Sequence, residues 1–170
     1  MRPVIPLVVA IMLLASPAQG QDAWNLGKDL VGGAATAKVQ GEVNKVLLNE
    51  SRKNQCSFKT DTDVLEKGCD QKSRRLANAL LDAKKKLNVA GVKNFKFEVS
   101  GHTDSTGNAD HNRELSARRA ERVKKELMAK GIPESEIATV GMGSDRMLAK
   151  PDDTPAKKAK NRRYELQVRL

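Results

Sequence analysis

Apolar residues recur at two spacings along this chain, and the switches between them mark its elements. Tyr164, Leu166, Val168 and Leu170 alternate strictly with polar neighbours, the period of a strand with one covered face. Phe95, Phe97 and Val99 alternate in the same way, and the short runs 55–58 and 137–141 complete the predicted strands. Elsewhere the spacing lengthens to three and four residues. Leu76, Leu80, Ala83 and Leu87 mark one face of a helix that Asp70 can cap. Leu115, Ala120, Val123 and Leu127 mark a second, which Gly131 ends, because glycine enters the left-handed conformation at little cost. Pro133 cannot extend it. A turn rich in Gly, Asp and Asn covers 101–110, and a Lys/Asp/Pro loop precedes the last strand. The order β-α-β-α-β with a closing strand predicts an α+β fold, a two-layer α/β sandwich with helices on one sheet.

Residues 21–53 follow another pattern. Val39, Val43, Val46 and Leu47 recur at helical spacing, Gly32-Gly33 interrupts the start, and Trp24, Leu26 and Leu30 form an apolar cluster ahead of it. Two readings stand: an amphipathic helix docked on the domain or on another subunit, or a partly ordered linker. Before it, Arg2, the apolar run Val4 to Ala15 and the small residues around Ala18-Gln19-Gly20 have the three-part layout of a secretory signal peptide. The run is shorter than the roughly 20 residues that span a bilayer, so cleavage after Gly20 is expected, leaving no transmembrane segment. The predicted organisation is a signal peptide at 1–20, a helical extension or linker at 21–53 and a domain at 54–170.

The formal net charge of +10 raises a nucleic-acid partner. Export and an aromatic content of 3% argue against one, since few rings are left to stack on bases. A basic exported protein meets other polyanions, among them the cell-wall polymer. Cys56 and Cys69 are the only cysteines, and in an oxidising compartment an even pair predicts a disulfide. It closes a loop of about 14 residues and contributes roughly 3 kcal/mol on the chain-entropy model. Two cysteines supply half a tetrahedral site, so no metal is expected, and no cofactor.

Against this background, Gly101-His102-Thr103-Asp104-Ser105-Thr106-Gly107 is followed by Asn112-x-x-Leu115-Ser116-x-x-Arg119-Ala120. Then come Gly131-Ile132-Pro133, Gly141-Met142-Gly143 and Asn161-Arg162-Arg163. In this order the motifs resemble those of OmpA-like peptidoglycan-associated domains over about 54–170. The resemblance implies a site for diaminopimelate, the diamino acid of many peptidoglycan stem peptides, held by Asp104 and Arg119. By motif position Asn112 and Arg162 join them, with Thr103 and Leu115 as pocket neighbours. It also implies a periplasmic protein associated with the cell wall or outer membrane. The chemistry is consistent with that. A ligand with a carboxylate and an ammonium at one end needs a cation and an anion within a few ångströms, and arginine grips carboxylates bidentately. The cysteine pair is not a general feature of the family.

Two rival functions follow from the same residues. Ser100, His102 and Asp104 invite a catalytic triad, but alternate residues of an extended strand stand roughly 7 Å apart, beyond hydrogen-bond relay. No His-Glu-x-x-His spacing offers zinc ligands, and the chain is read as a binding protein, not an enzyme. In the other rival, residues 21–53 bind an envelope protein partner and wall binding is secondary.

Overall fold

The computed structural model describes the backbone of residues 18–170 and side chains from residue 32 onward. The expected signal peptide falls almost entirely outside the described residues. A long helix, α1 (Ala18–Lys53), runs without a break through Gly32-Gly33, where the sequence predicts an interruption. Its first part belongs to a separate unit ending at Ala35, and the rest of the chain from Thr36 forms one compact unit. Within that unit Val43 and Leu47 of α1 join the core.

The remaining order is α2 (Cys69–Val89), β1 (Lys96–His102), α3 (Ala109–Met128), β2 (Ile137–Gly141), α4 (Pro155–Asn161) and β3 (Arg163–Arg169). The strands form one sheet in the order β2-β1-β3. β1 and β2 are parallel, and β1 pairs antiparallel with β3. Leu76, Leu80 and Leu87 of α2 and Val123 and Leu127 of α3 bury the face carrying Phe97, Val99, Tyr164, Leu166 and Val168. The α/β sandwich is therefore present, with the expected faces inward.

The expected first strand is not part of the sheet. From 55–58, only Phe58 makes a single bridge, to Leu65. Side-chain amides take its place on the outer edge of β3. The Gln55 amide donates to Tyr164 O at 2.7 Å and accepts from Tyr164 N at 3.0 Å. The Asn44 amide likewise accepts from Val168 N at 2.6 Å and donates to Val168 O at 3.3 Å. An amide carries one donor group and one acceptor, so each meets the same need as a strand residue. Helix α1 thus covers an edge that would otherwise present unpaired backbone.

Helix ends also differ in detail from the sequence reading. Gly68, with φ 92°, precedes α2, and Asp70 sits inside the first turn, bonded to Arg74 and Lys130 instead of capping. The Lys/Asp/Pro stretch contains α4, capped by Thr154, whose hydroxyl accepts from Lys157 N, with Pro155 in its first turn.

α3 lies unusually close to the sheet. A Cβ on Gly101 would stand 2.1 Å from Ser116 O, and one on Gly141 would stand 2.4 Å from Arg113 O. Only glycine permits this approach. It places the helix motif from Asn112 to Arg119 directly beside the loop that leaves β1.

Candidate functional site

The end of β1, Arg119 of α3, residues 55–58 and the 159–163 segment line one cavity of about 630 Å³. Of the expected site residues Arg119 and Arg162 line it, and Thr103, Asp104, Asn112 and Leu115 do not. Arg52, Phe58, His102, Arg119, Arg162 and Arg163 are among its lining residues, and no carboxylate lines it.

Arg119 is buried, and no carboxylate of the described residues lies within ion-pair distance of it. Its Nε donates to Thr62 O at 2.9 Å, and its guanidinium carbon lies 5.0 Å from the centre of the Phe58 ring. The two terminal nitrogens have no hydrogen-bond partner among the described residues. Burial pulls the Arg119 pKa below its ordinary value, with Asp61 opposing, yet a guanidinium keeps its charge. The result is an oriented cation whose bidentate edge is unengaged.

Asp104 is oriented differently. Its Oδ2 accepts from Arg162 Nη1 at 2.7 Å and its Oδ1 from Thr106 N at 3.0 Å. Burial opposes ionisation, but the Arg162 and Thr106 bonds outweigh it and hold the carboxyl below the usual range. Asp104 and Arg119 therefore do not neutralise one another: Arg162 pairs with the acid and leaves the buried arginine without one.

Residues 58–162 match the OmpA family. The chain belongs to this family. Over 71 residues it is 48% identical to Outer membrane porin F of Pseudomonas fluorescens, covering 42% of this chain and 22% of that protein. Over 73 residues it is 46% identical to Peptidoglycan-binding protein ArfA of Mycobacterium tuberculosis, covering 43% and 22%. The chain thus spans about a fifth of the length of these two relatives. The Peptidoglycan-associated lipoprotein of Agrobacterium fabrum is 27% identical over 151 residues, covering 87% of this chain and 79% of that one. Among solved structures, the C-terminal domain of Helicobacter pylori MotB is 27% identical with a TM-score of 0.55, covering 68% and 84% of the two chains. The peptidoglycan-associated lipoprotein of Burkholderia pseudomallei shares the fold at 22% identity and a TM-score of 0.55, covering 68% and 89%.

The other OmpA-family motif positions mostly support these two. Asn112 donates to Thr106 O at 2.9 Å and Asp104 O at 3.5 Å, so its amide shapes the loop that carries Asp104. Leu115 is buried, and the buried Thr103 hydroxyl has no partner among the described residues. Asn161 is fully buried. Its Oδ1 accepts from Leu148 N and Ala149 N, and its Nδ2 donates to Ala149 O and Asp152 Oδ2. Asp152 in turn accepts from the Ser105 backbone at 2.8 Å and its hydroxyl at 2.5 Å, beside Asp104.

Several contributors were not singled out for the site by sequence pattern. Phe58 and Thr62 hold Arg119, and both lie in the loop closed by the Cys56–Cys69 disulfide. Arg52 and Arg163 both bind Glu165 Oε1, at 2.9 Å each. Strand alternation alone assigns Arg163 and Glu165 to the exposed face of β3, and only this packing buries them.

His102 departs from the sequence argument too. It is buried, and its Nε2 lies 3.2 Å from Ser100 Oγ, a contact that the strand-spacing estimate excluded. The two side chains share a face of β1 and lean together. A nucleophile relay requires acid and hydroxyl on opposite ring nitrogens. Here Ser100 and Glu165, at 3.9 Å, both face Nε2, and Nδ1 has no partner among the described residues. Burial first, then Arg163, lowers the His102 pKa to about 4, so it is neutral at neutral pH.

Proposed function

We propose that this chain binds peptidoglycan non-covalently through the diaminopimelate residue of its stem peptide. After export it thereby ties itself, or a complex it belongs to, to the cell wall in the periplasm. The observation that carries this reading is the state of Arg119: buried, fixed by Thr62 and Phe58, and lacking a carboxylate partner among the described residues. A ligand carboxylate would take its two terminal nitrogens as a fork. The ligand ammonium would share the Asp104 carboxylate with Arg162, whose side chain is half exposed and can adjust. Binding of this kind breaks no covalent bond, and the site does not serve as a hydrolase.

The test is co-sedimentation with purified sacculi, with free meso-diaminopimelate as competitor. Truncating one partner of a buried charge pair typically costs about 2–5 kcal/mol, roughly 30-fold or more in affinity. Arg119→Ala should lose at least that much, and Arg119→Lys should fall part of the way, keeping charge without the fork. Lys125, exposed on α3, is the control and should matter little. Lys130 does not serve as one, because it pairs with Asp70. Full sacculus binding by Arg119→Ala, together with loss of binding in moderate salt, would reduce the interaction to general electrostatics.

A further inference from the structure

The cavity extends past Arg119 toward residues outside the OmpA-family match. Arg52, at the end of α1, and Gln55 to Ser57 line it, while the match begins at residue 58. Its volume falls within the roughly 300–1,000 Å³ of small-molecule pockets, which leaves room beyond a single carboxylate on Arg119. Five cations line the wall: Arg52, Arg119, Lys160, Arg162 and Arg163.

They are not equally available. Arg163 is structural, since its Nε, Nη1 and Nη2 bond Glu165, Asn161 O and Arg146 O. Arg52 gives Nε and Nη2 to one oxygen of Glu165, and its Nη1 has no partner among the described residues. Arg162 gives only Nη1, to Asp104. Lys160 is exposed and makes no side-chain bond among the described residues. No carboxylate lines this wall, and the unengaged nitrogens of Arg52, Lys160 and Arg162 all carry positive charge. Confined like-charged donors favour an anionic group by focusing the field.

We propose that Arg52, Lys160 and the outer nitrogens of Arg162 form a second anion subsite, which takes a carboxylate on the stem residue next to diaminopimelate. This rests on the diaminopimelate reading and extends it to a ligand with two acidic positions. Free diaminopimelate uses the Arg119 end alone. A stem peptide reaches both ends, and amidation of the neighbouring carboxylate removes the group that the second subsite recognises.

The experiment measures affinity by calorimetry for three probes: free meso-diaminopimelate, the tripeptide L-Ala-γ-D-Glu-meso-diaminopimelate, and the same tripeptide with its glutamyl α-carboxylate amidated. The wild type should bind the acid tripeptide more tightly than the amide by about tenfold or more, the lower end of the scale of one charge-assisted bond. Arg52→Ala should erase that preference and leave free diaminopimelate unchanged. Arg163 still pairs with Glu165 in that variant, so the fold has a remaining partner there. Lys160→Glu, at an exposed position, is a second test and should disfavour the acid tripeptide more than the amide. Equal wild-type affinity for acid and amide overturns the second subsite while the diaminopimelate reading stands. Equal loss by Arg52→Ala on all three probes also overturns the subsite. No binding of any probe by the wild type overturns both.

Discussion

Two loops place the two halves of the site, and they are held by opposite means. The 57–68 loop brings Phe58 and Thr62 to Arg119, yet none of its residues is buried between the two cysteines. It is tied at its base by the Cys56–Cys69 bond and along its length by a few contacts at the surface, among them Thr62 O with Arg119 and Asp61 with His111. The loop after β2 has no covalent tie. It is fixed by one buried amide, Asn161, and one buried carboxylate, Asp152, which reaches Ser105 beside Asp104. A polar network of this kind is stable only when every member is satisfied, and this one is. One half of the site thus depends on the redox state of its surroundings, the other on a few hydrogen bonds.

The largest expected effect is on the hydrogen-bonded side. Asn161→Ala leaves the backbone N–H groups of Leu148 and Ala149 and the Ala149 carbonyl without their partner, while Asp152 keeps only its bonds from Ser105. At about 1–3 kcal/mol per unsatisfied group, the loss should be about 4 kcal/mol, read from urea unfolding. A loss below about 1 kcal/mol would mean that water replaces the amide and the network is not what holds this loop.

Next comes the covalent side. Cys56→Ser with Cys69→Ser should cost about 3 kcal/mol on the chain-entropy model and weaken diaminopimelate binding through a less fixed Arg119. If the two loops are held independently, combining these changes with Asn161→Ala should add to within about 0.5 kcal/mol. Strong non-additivity would break the comparison. Unchanged diaminopimelate affinity in the reduced protein would separate the disulfide from the site.

How far the sequence carries these features depends on where the causes lie. The α3 motif, the Gly131 stop and the alternation of Tyr164, Leu166 and Val168 are local, and each falls where the pattern predicts. The 55–58 strand failed because the β3 edge is already paired by two side-chain amides, Asn44 from α1 and Gln55 from the stretch itself, and no short-range pattern reports that. The α4 helix was readable in Thr154-Pro155, a cap followed by proline in the first turn, but the surrounding charge run hid it. For the site, motif position named Asp104, Arg119 and Arg162. It could not reveal that Arg162 would pair with Asp104, nor that Arg52 would line the same cavity, because those partners meet only through tertiary packing.

His102 lies on neither loop, so acid should disturb both sides together. Its pKa falls from an ordinary 6.5 to about 4 in the folded state, so between these values the unfolded chain binds more protons. Its contribution is complete above about pH 6.5, is lost as the pH falls toward 4, and is flat below that. The loss is on the order of 3 kcal/mol. Unfolding curves at stepped pH should show this acid limb in the wild type and a shallower one in His102→Gln. Identical limbs would assign the pH dependence to other groups.

The smallest effect sharpens the comparison at the tip of the disulfide-closed loop. Asp61 is exposed, pairs with His111 at 2.7 Å and acts on Arg119 from outside ion-pair distance. The His111 bond holds its carboxyl below the ordinary value, so it is charged at neutral pH. A ligand carboxylate approaching Arg119 therefore meets a like charge at the loop tip. Asp61 has φ 55°, a left-handed conformation that asparagine also tolerates, so Asp61→Asn removes the charge without demanding a new backbone. Diaminopimelate should then bind about twofold more tightly at low salt, an advantage that fades as the Debye length contracts to roughly 3 Å near 1 M salt. Weaker binding by Asp61→Asn would show that Asp61 assists the ligand, through its ammonium or by fixing the loop, and would move the anionic half of the site from Asp104 toward the loop tip.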